Sequence, residues 1–136
     1  MRTEKKQRLA QLRHWRVRSK VSGTRERPRM SVCFTNENIH VQFIDDHAGV
    51  TLAAVSTTSK ATPDRDKLAA NVASARVVGK LAAEIALARG IKAVVFDRGN
   101  ARYHRSENKG KDGKPVLALG KLATLAEAAR AAGLKF

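Results

Sequence analysis

The sequence predicts an α/β fold: a two-layer domain on a mixed sheet, in the order β-β-β-α-β-α, with a basic N-terminal arm. Three observations carry this. Apolar and polar residues alternate over Met30–Thr35 and Ile39–Phe43, the period of strands buried on one face. A helical period follows at Leu68, Val72, Ala75, Val78, Ala82 and Ile85 and leads to a short Val-rich run, as in a crossover to a parallel strand. Finally, eleven of the 27 Lys and Arg lie within residues 1–29 against only Glu4 and Glu26, so this stretch holds +9 of the formal +15.

Residues 1–29 show no sustained period, although Leu9, Leu12 and Val17 suit one side of a short helix. They are read as an arm, and residues 30–136 as a single α/β domain. Ser22-Gly23-Thr24 has turn chemistry, and Pro28 disfavours helix in the residue before it. Met30, Val32 and Phe34 then alternate with Ser31, Cys33 and Thr35. Ile39, Val41 and Phe43 alternate with His40 and Gln42, across a turn at Thr35-Asn36-Glu37-Asn38. A second turn, Asp45 to Gly49, leads to a third run at Val50–Ser56, which gives an antiparallel meander.

Thr62-Pro63-Asp64 predicts the start of the next helix: Thr62 caps it, Pro63 suits its first turn and Asp64 complements its positive end. Gly90 ends it. Ile91–Phe96 reads as a parallel strand inside the sheet. From Arg98 to Lys121 seven bases face two acids, with Gly99, Gly110 and Gly113 and little periodicity, so a basic loop is expected at about 98–121. Leu122, Leu125, Ala126 and Ala129 mark the last helix, which Gly133 terminates.

Composition bounds the function. The 136 residues suffice for one core, and a pI near 11.0 favours polyanions through counterion release. The single Cys33 cannot form an internal disulfide and fits a reducing, cytoplasmic setting. No apolar run reaches the roughly 20 residues of a membrane span, and no apolar stretch follows the basic N-terminus as in a secretory signal. No membrane, cofactor or small-molecule substrate is expected. Only six residues are Trp, Tyr or Phe, so phosphate and shape recognition suit this chain better than base stacking on several aromatics.

The candidate contacts follow the charge. In the arm they are Arg2, Lys5, Lys6, Arg8, Arg13, His14, Arg16, Arg18, Lys20, Arg25, Arg27 and Arg29, with the Ser22 and Thr24 hydroxyls between them. Guanidinium forks bind phosphates bidentately, and hydroxyls add contacts to phosphate or ribose. A solvated tail is the alternative, disfavoured because like charges this dense repel one another without a polyanion. Trp15 either stacks on a base or packs as the arm's apolar anchor; packing is preferred. Arg98, Arg102, Tyr103 and His104 suit an irregular RNA, against a Tyr103 tucked on the sheet.

Asp45, Asp46 and Asp97 fall at strand ends and in principle could converge on Mg²⁺ as in a nuclease. Turn roles for the first two, and an ion pair or cap for Asp97 beside Arg98, are the simpler reading. His14, His40, His47 and His104 lack metal-ligand spacing. Cys33 falls on the face opposite the apolar set and reads as a small sheet residue. No enzyme is expected.

Several stretches together resemble one family, the bacterial large-subunit ribosomal protein L eighteen, which binds 5S ribosomal RNA. In the arm they are Arg13-His14, Arg16-Val17-Arg18, Ser22-Gly23-Thr24 and Glu26-Arg27-Pro28-Arg29, followed by Ser31-Val32. Ile44-Asp45-Asp46, Thr51-Leu52-Ala53 and Gly90-Ile91 come next, then Val94 to Gly99 and Tyr103-His104. The ending runs from Leu125 to Arg130 and from Gly133 to Phe136. The resemblance spans nearly the whole chain and implies a non-catalytic protein that joins 5S to 23S ribosomal RNA in the central protuberance, beside neighbouring large-subunit proteins. It also implies that Arg13 through Arg29, Thr35-Asn36 and Arg98 through His104 face RNA. Two departures stand out. Roughly fifteen residues, about Arg105 to Leu119, are inserted between Tyr-His and the last helix, where Lys109, Lys111 and Lys114 suggest an extension over RNA or an exposed loop. Thr35 and Glu37 replace a commonly more basic pattern.

Overall fold

The computed structural model describes residues 2–109, 111–113 and 115–136. Helix α1 (Thr3–Arg18) comes first, then strands β1 (Arg29–Phe34), β2 (Ile39–Asp45) and β3 (Val50–Ser56). Helix α2 (Val72–Ala88), strand β4 (Val95–Asp97), hairpin strands β5 (Arg105–Lys109) and β6 (Pro115–Leu119), and helix α3 (Lys121–Ala131) complete the chain.

The alternating pattern of the first three strands closes the expected antiparallel meander, with Met30 opposite Phe43 and Val32 opposite Val41. The sheet order is β3-β2-β1-β4, with β4 parallel to β1. One sheet face carries Met30, Val32, Ile39, Val41 and Phe43, all buried, against α2 and α3. Burying a side chain the size of Phe43 is worth about 2 kcal/mol in transfer free energy. Arg29, Ser31 and Cys33 alternate onto the opposite face.

Helix α2 contributes Ala75, Val78, Gly79, Ala82, Ala83 and Ala86 to the interior. Those small residues let the helices approach closely: a Cβ added at Gly79 would collide with the Leu125 carbonyl of α3. Gly90 and Gly133, at φ +79 and +104, end α2 and α3 as expected.

Five expectations need correction. The arm's helix is longer than the short one expected: sixteen of its residues form α1, which buries none of them. Lys, Arg, Gln, Leu and Ala all have high helix propensity, and a search for an apolar period sees burial, not helicity. Trp15 does not pack as an anchor, being 57% exposed. Helix α2 does not start at Thr62. The Thr62 hydroxyl donates to the Ser56 carbonyl (2.6 Å), Asp64 turns left-handed at φ 52, and only a 3-10 turn follows at Arg65–Lys67. Asn71 caps the helix instead, its side chain accepting from the Ser74 N–H at 2.8 Å.

The fourth strand lies at the sheet edge, not inside. It is only three residues long, and the chain end shields the approach to its outer side: Val94 N–H donates to the Lys135 carbonyl (2.9 Å) and Lys135 N–H to that of Lys92 (3.1 Å). Finally, the stretch 98–121 is irregular only to His104, after which β5 and β6 pair as a separate antiparallel hairpin. Lys114 and Gly110 lie outside the described residues.

Candidate nucleic-acid interface

Ala10, Arg13, His14 and Val17 recur at i, i+3, i+4 and i+7, so they share one side of α1. That side faces the loop Asp97–Tyr103, and between them lies a cleft of about 620 Å³. Arg13 and His14 line it from the helix, Arg98, Arg102 and Tyr103 from the loop. A second, adjoining cleft of about 350 Å³ shares His14, Asp97, Gly99, Asn100 and Ala101 and runs along β1 through Ser31, Cys33 and Phe34. The two basic segments, about 85 residues apart in the chain, thus converge.

What joins the arm to the body is a run of alternating charges. Arg18, the last residue of α1, donates to Asp46 Oδ1 at 3.0 Å and to Oδ2 at 3.4 Å. Arg29 donates to the same carboxylate through Nε (2.9 Å) and Nη2 (3.0 Å), and through Nη1 to Asp97 Oδ2 (2.9 Å). Gly23 N–H adds a bond to Asp46 Oδ2 at 2.7 Å, and Gly99 N–H one to Asp97 Oδ1 at 3.0 Å. The Asp46 side chain is 14% exposed and that of Arg29 11%. Hydrogen bonds from Arg29 hold the Asp46 carboxyl well below the usual carboxylate range, against the opposing effect of burial, with Arg18 and Gly23 adding to them. The Arg29 guanidinium is correspondingly raised, first by its bonds to Asp46.

Gly23 is required by this joint. Any Cβ there would collide with the Arg29 backbone nitrogen and the Ile44 carbonyl, while Asp46 N–H also donates back to the Gly23 carbonyl at 3.0 Å.

Asp45, Asp46 and Asp97 therefore do not form a shared metal pocket. Arg29 stands between the last two, and Asp45 Oδ1 accepts the N–H groups of His47 (3.0 Å) and Ala48 (3.2 Å), the turn role expected of it. Among the described residues, no group of three or more His, Cys, Asp or Glu is placed to hold a metal ion.

The remaining candidates are distributed unevenly. Arg2 lies exposed at the N-cap of α1 and Lys5, Lys6 and Arg8 on its first half, with Arg16 in its last turn, where a cation suits the helix dipole. Lys20, Ser22 and Arg25 are exposed, and Arg25 lines a different hollow beside Arg89. The Thr24 hydroxyl accepts from Arg27 N–H (3.1 Å), and Arg27 Nε donates to the Val94 carbonyl (3.3 Å). Thr35 closes its turn with Asn38, so Thr35 and the exposed Asn36 lie outside both clefts. His104 is exposed, its carbonyl accepting from Gly120 N–H.

Tyr103 is neither free nor tucked on the sheet. Its hydroxyl donates to Glu127 Oε1 (3.0 Å) and accepts from Arg130 (3.3 Å), and Arg130 also lies 4.5 Å over the Phe136 ring. Phe136 in turn stacks on Phe96 at 5.0 Å, so α3 and the chain end brace the loop's cleft side. The roles of Gly23, Ala10 and Asn100 were missed from sequence; only Ala10's helical spacing from His14 and Val17 signalled a shared side.

A mixed sheet that presents a cationic helix and a cationic loop to one cleft defines a scaffold with a concave cationic surface. Comparison with known proteins narrows the class. Residues 3–109 match the family described as ribosomal L18 of archaea, bacteria, mitochondria and chloroplast, and the chain belongs to that family. It is 47% identical over 131 residues to the large ribosomal subunit protein uL18 of Lactobacillus delbrueckii subsp. bulgaricus, covering 96% of this chain and 95% of the relative. The protein of the same name from Lacticaseibacillus casei is 48% identical over the same shares.

Proposed function

We propose that the protein is a non-catalytic component of the large ribosomal subunit that binds 5S ribosomal RNA and helps attach it to 23S ribosomal RNA in the central protuberance, among neighbouring large-subunit proteins in the cytoplasm. The observation that carries this reading is the shared cleft: two segments separately rich in cations line one concave surface. Family membership supplies the ribosomal setting.

Within this reading the contacts are Arg2, Lys5, Lys6, Arg8, Arg13, His14, Arg16, Lys20, Ser22, Thr24, Arg25, Asn36, Arg98, Arg102, Tyr103 and His104. Arg18, Arg27, Arg29 and Thr35 are engaged within the protein and act through position more than through free donors. Lys111, exposed at the hairpin tip, extends the cationic surface. Phosphate contacts give affinity and registration, while the irregular shape of a folded RNA gives selectivity.

Competition binding at physiological salt tests the proposal. Folded 5S RNA is expected to displace duplex DNA and homopolymer RNA, and the native protein to sediment with the large subunit. Equal affinity for duplex DNA and 5S RNA would instead indicate a general nucleic-acid compactor.

A further inference from the structure

We infer that Asp46 is a positioning residue for RNA recognition, an anionic hub that fixes the cationic arm opposite the 98–103 loop. The inference rests on the RNA reading above and adds to it a residue of the opposite charge.

Helix α1 buries no side chain, so no apolar packing of its own sets its direction. Its C-terminal end is instead held at Asp46, which accepts five hydrogen bonds from three residues: two from Arg18, two from Arg29 and one from Gly23. From Arg29 the connection continues through Asp97 to Gly99, at the start of the loop on the far wall of the cleft. One carboxylate thus ties together the last arginine of α1, the turn that follows it, the first strand and, by one further step, the loop. A fixed arm presents Arg13 and His14 at a set distance from Arg98 and Arg102, so less ordering remains to be done when RNA binds.

The consequence opposes simple electrostatics. Asp46→Asn removes a negative charge from the protein, and a diffuse cationic surface would then bind RNA more tightly. A hub predicts the reverse for folded RNA, because an amide offers one acceptor oxygen where two guanidinium forks require two.

The test compares wild type, Asp46→Asn, Arg18→Met and Lys20→Met, with polyuridylate as a shapeless control. In the free proteins, spin labels at Ala10→Cys and Ala101→Cys, in a Cys33→Ser background, report the arm-to-loop distance. Asp46→Asn and Arg18→Met should broaden that distance distribution, and Lys20→Met should leave it unchanged. Affinity for folded 5S RNA should fall about tenfold in Asp46→Asn and further in Arg18→Met than in Lys20→Met, although those two lose the same charge. Affinity for polyuridylate should hold or rise in Asp46→Asn. Tighter binding of 5S RNA by Asp46→Asn, or an undisturbed distance in Arg18→Met, overturns the inference. Arg18→Met retains the Arg29 bonds to Asp46 and Asp97, so it decides the matter should Asp46→Asn fail to fold. A wild type that shows the sharp distance yet does not prefer 5S RNA sinks the RNA reading alone.

Discussion

Helices α1 and α2 are nearly the same length, sixteen and seventeen residues, yet one buries nothing and the other buries seven. Their difference separates two sources of helicity. Helix α2 is held by tertiary packing, and Val78 and Gly79, residues with little helical preference, are among those it buries. Helix α1 rests on intrinsic propensity and a charge-bonded end, and its cations repel one another until a polyanion arrives. The body is held by its packing, the arm by its own helical preference and one charged joint.

The largest effect should come from filling the α2–α3 contact. Gly79→Val is expected to cost roughly 3 kcal/mol or more in denaturant unfolding, since neither the Leu125 carbonyl nor Ala128 can withdraw easily. A loss below about 1 kcal/mol would mean the two helices are not locked. On the arm the same measurement should register little, while RNA binding should respond strongly. Reversal of Arg13 and Arg16 to Glu should weaken 5S RNA binding by roughly a hundredfold and lower the salt slope by about 0.7 per lost phosphate contact, with the unfolding midpoint unmoved.

Acid sharpens the contrast at the joint. Asp46 has a lowered folded-state pKa, so the folded protein binds fewer protons than the unfolded chain as pH falls below about 4. Its contribution is therefore full at neutral pH and is lost as acidity increases through that window toward the folded value. Unfolding followed from pH 7 to pH 2 should show a shallower acid limb in Asp46→Asn than in wild type. The smallest effect should be at Leu12, 42% exposed on α1: Leu12→Ala should change stability by less than about 0.5 kcal/mol. Circular dichroism on a peptide of residues 1–21 should show marginal helix that increases with RNA.

How much of this was legible depended on the range of the interactions. Met30, Val32, Ile39, Val41 and Phe43 declared their strands because each strand is buried on one face, and Gly90 and Gly133 marked helix ends through local geometry alone. Thr62 misled because a hydroxyl that can cap a helix can equally bond a strand-end carbonyl. The length of helix α1 was obscured because only Leu9, Leu12 and Val17 hint at the apolar stripe by which helices are recognised. In the interface, the charged residues of both walls were visible and the resemblance implied that both face one RNA; what was not legible was the neighbour of the expected parallel strand, β1, whose pairing with β4 brings the loop beside the arm. Nor could residue order show that Arg29 joins Asp46 and Asp97, partners 17 and 68 positions away, although all three were noticed singly.

The lone thiol makes the cleft self-reporting. Cys33 is exposed on the open sheet face and lines the hollow that His14 and Asn100 also border. Alkylation of the unmodified protein can therefore serve as a footprinting clock: once nucleic acid covers that face, the reaction should slow in proportion to occupancy, and no reporter group has to be engineered in.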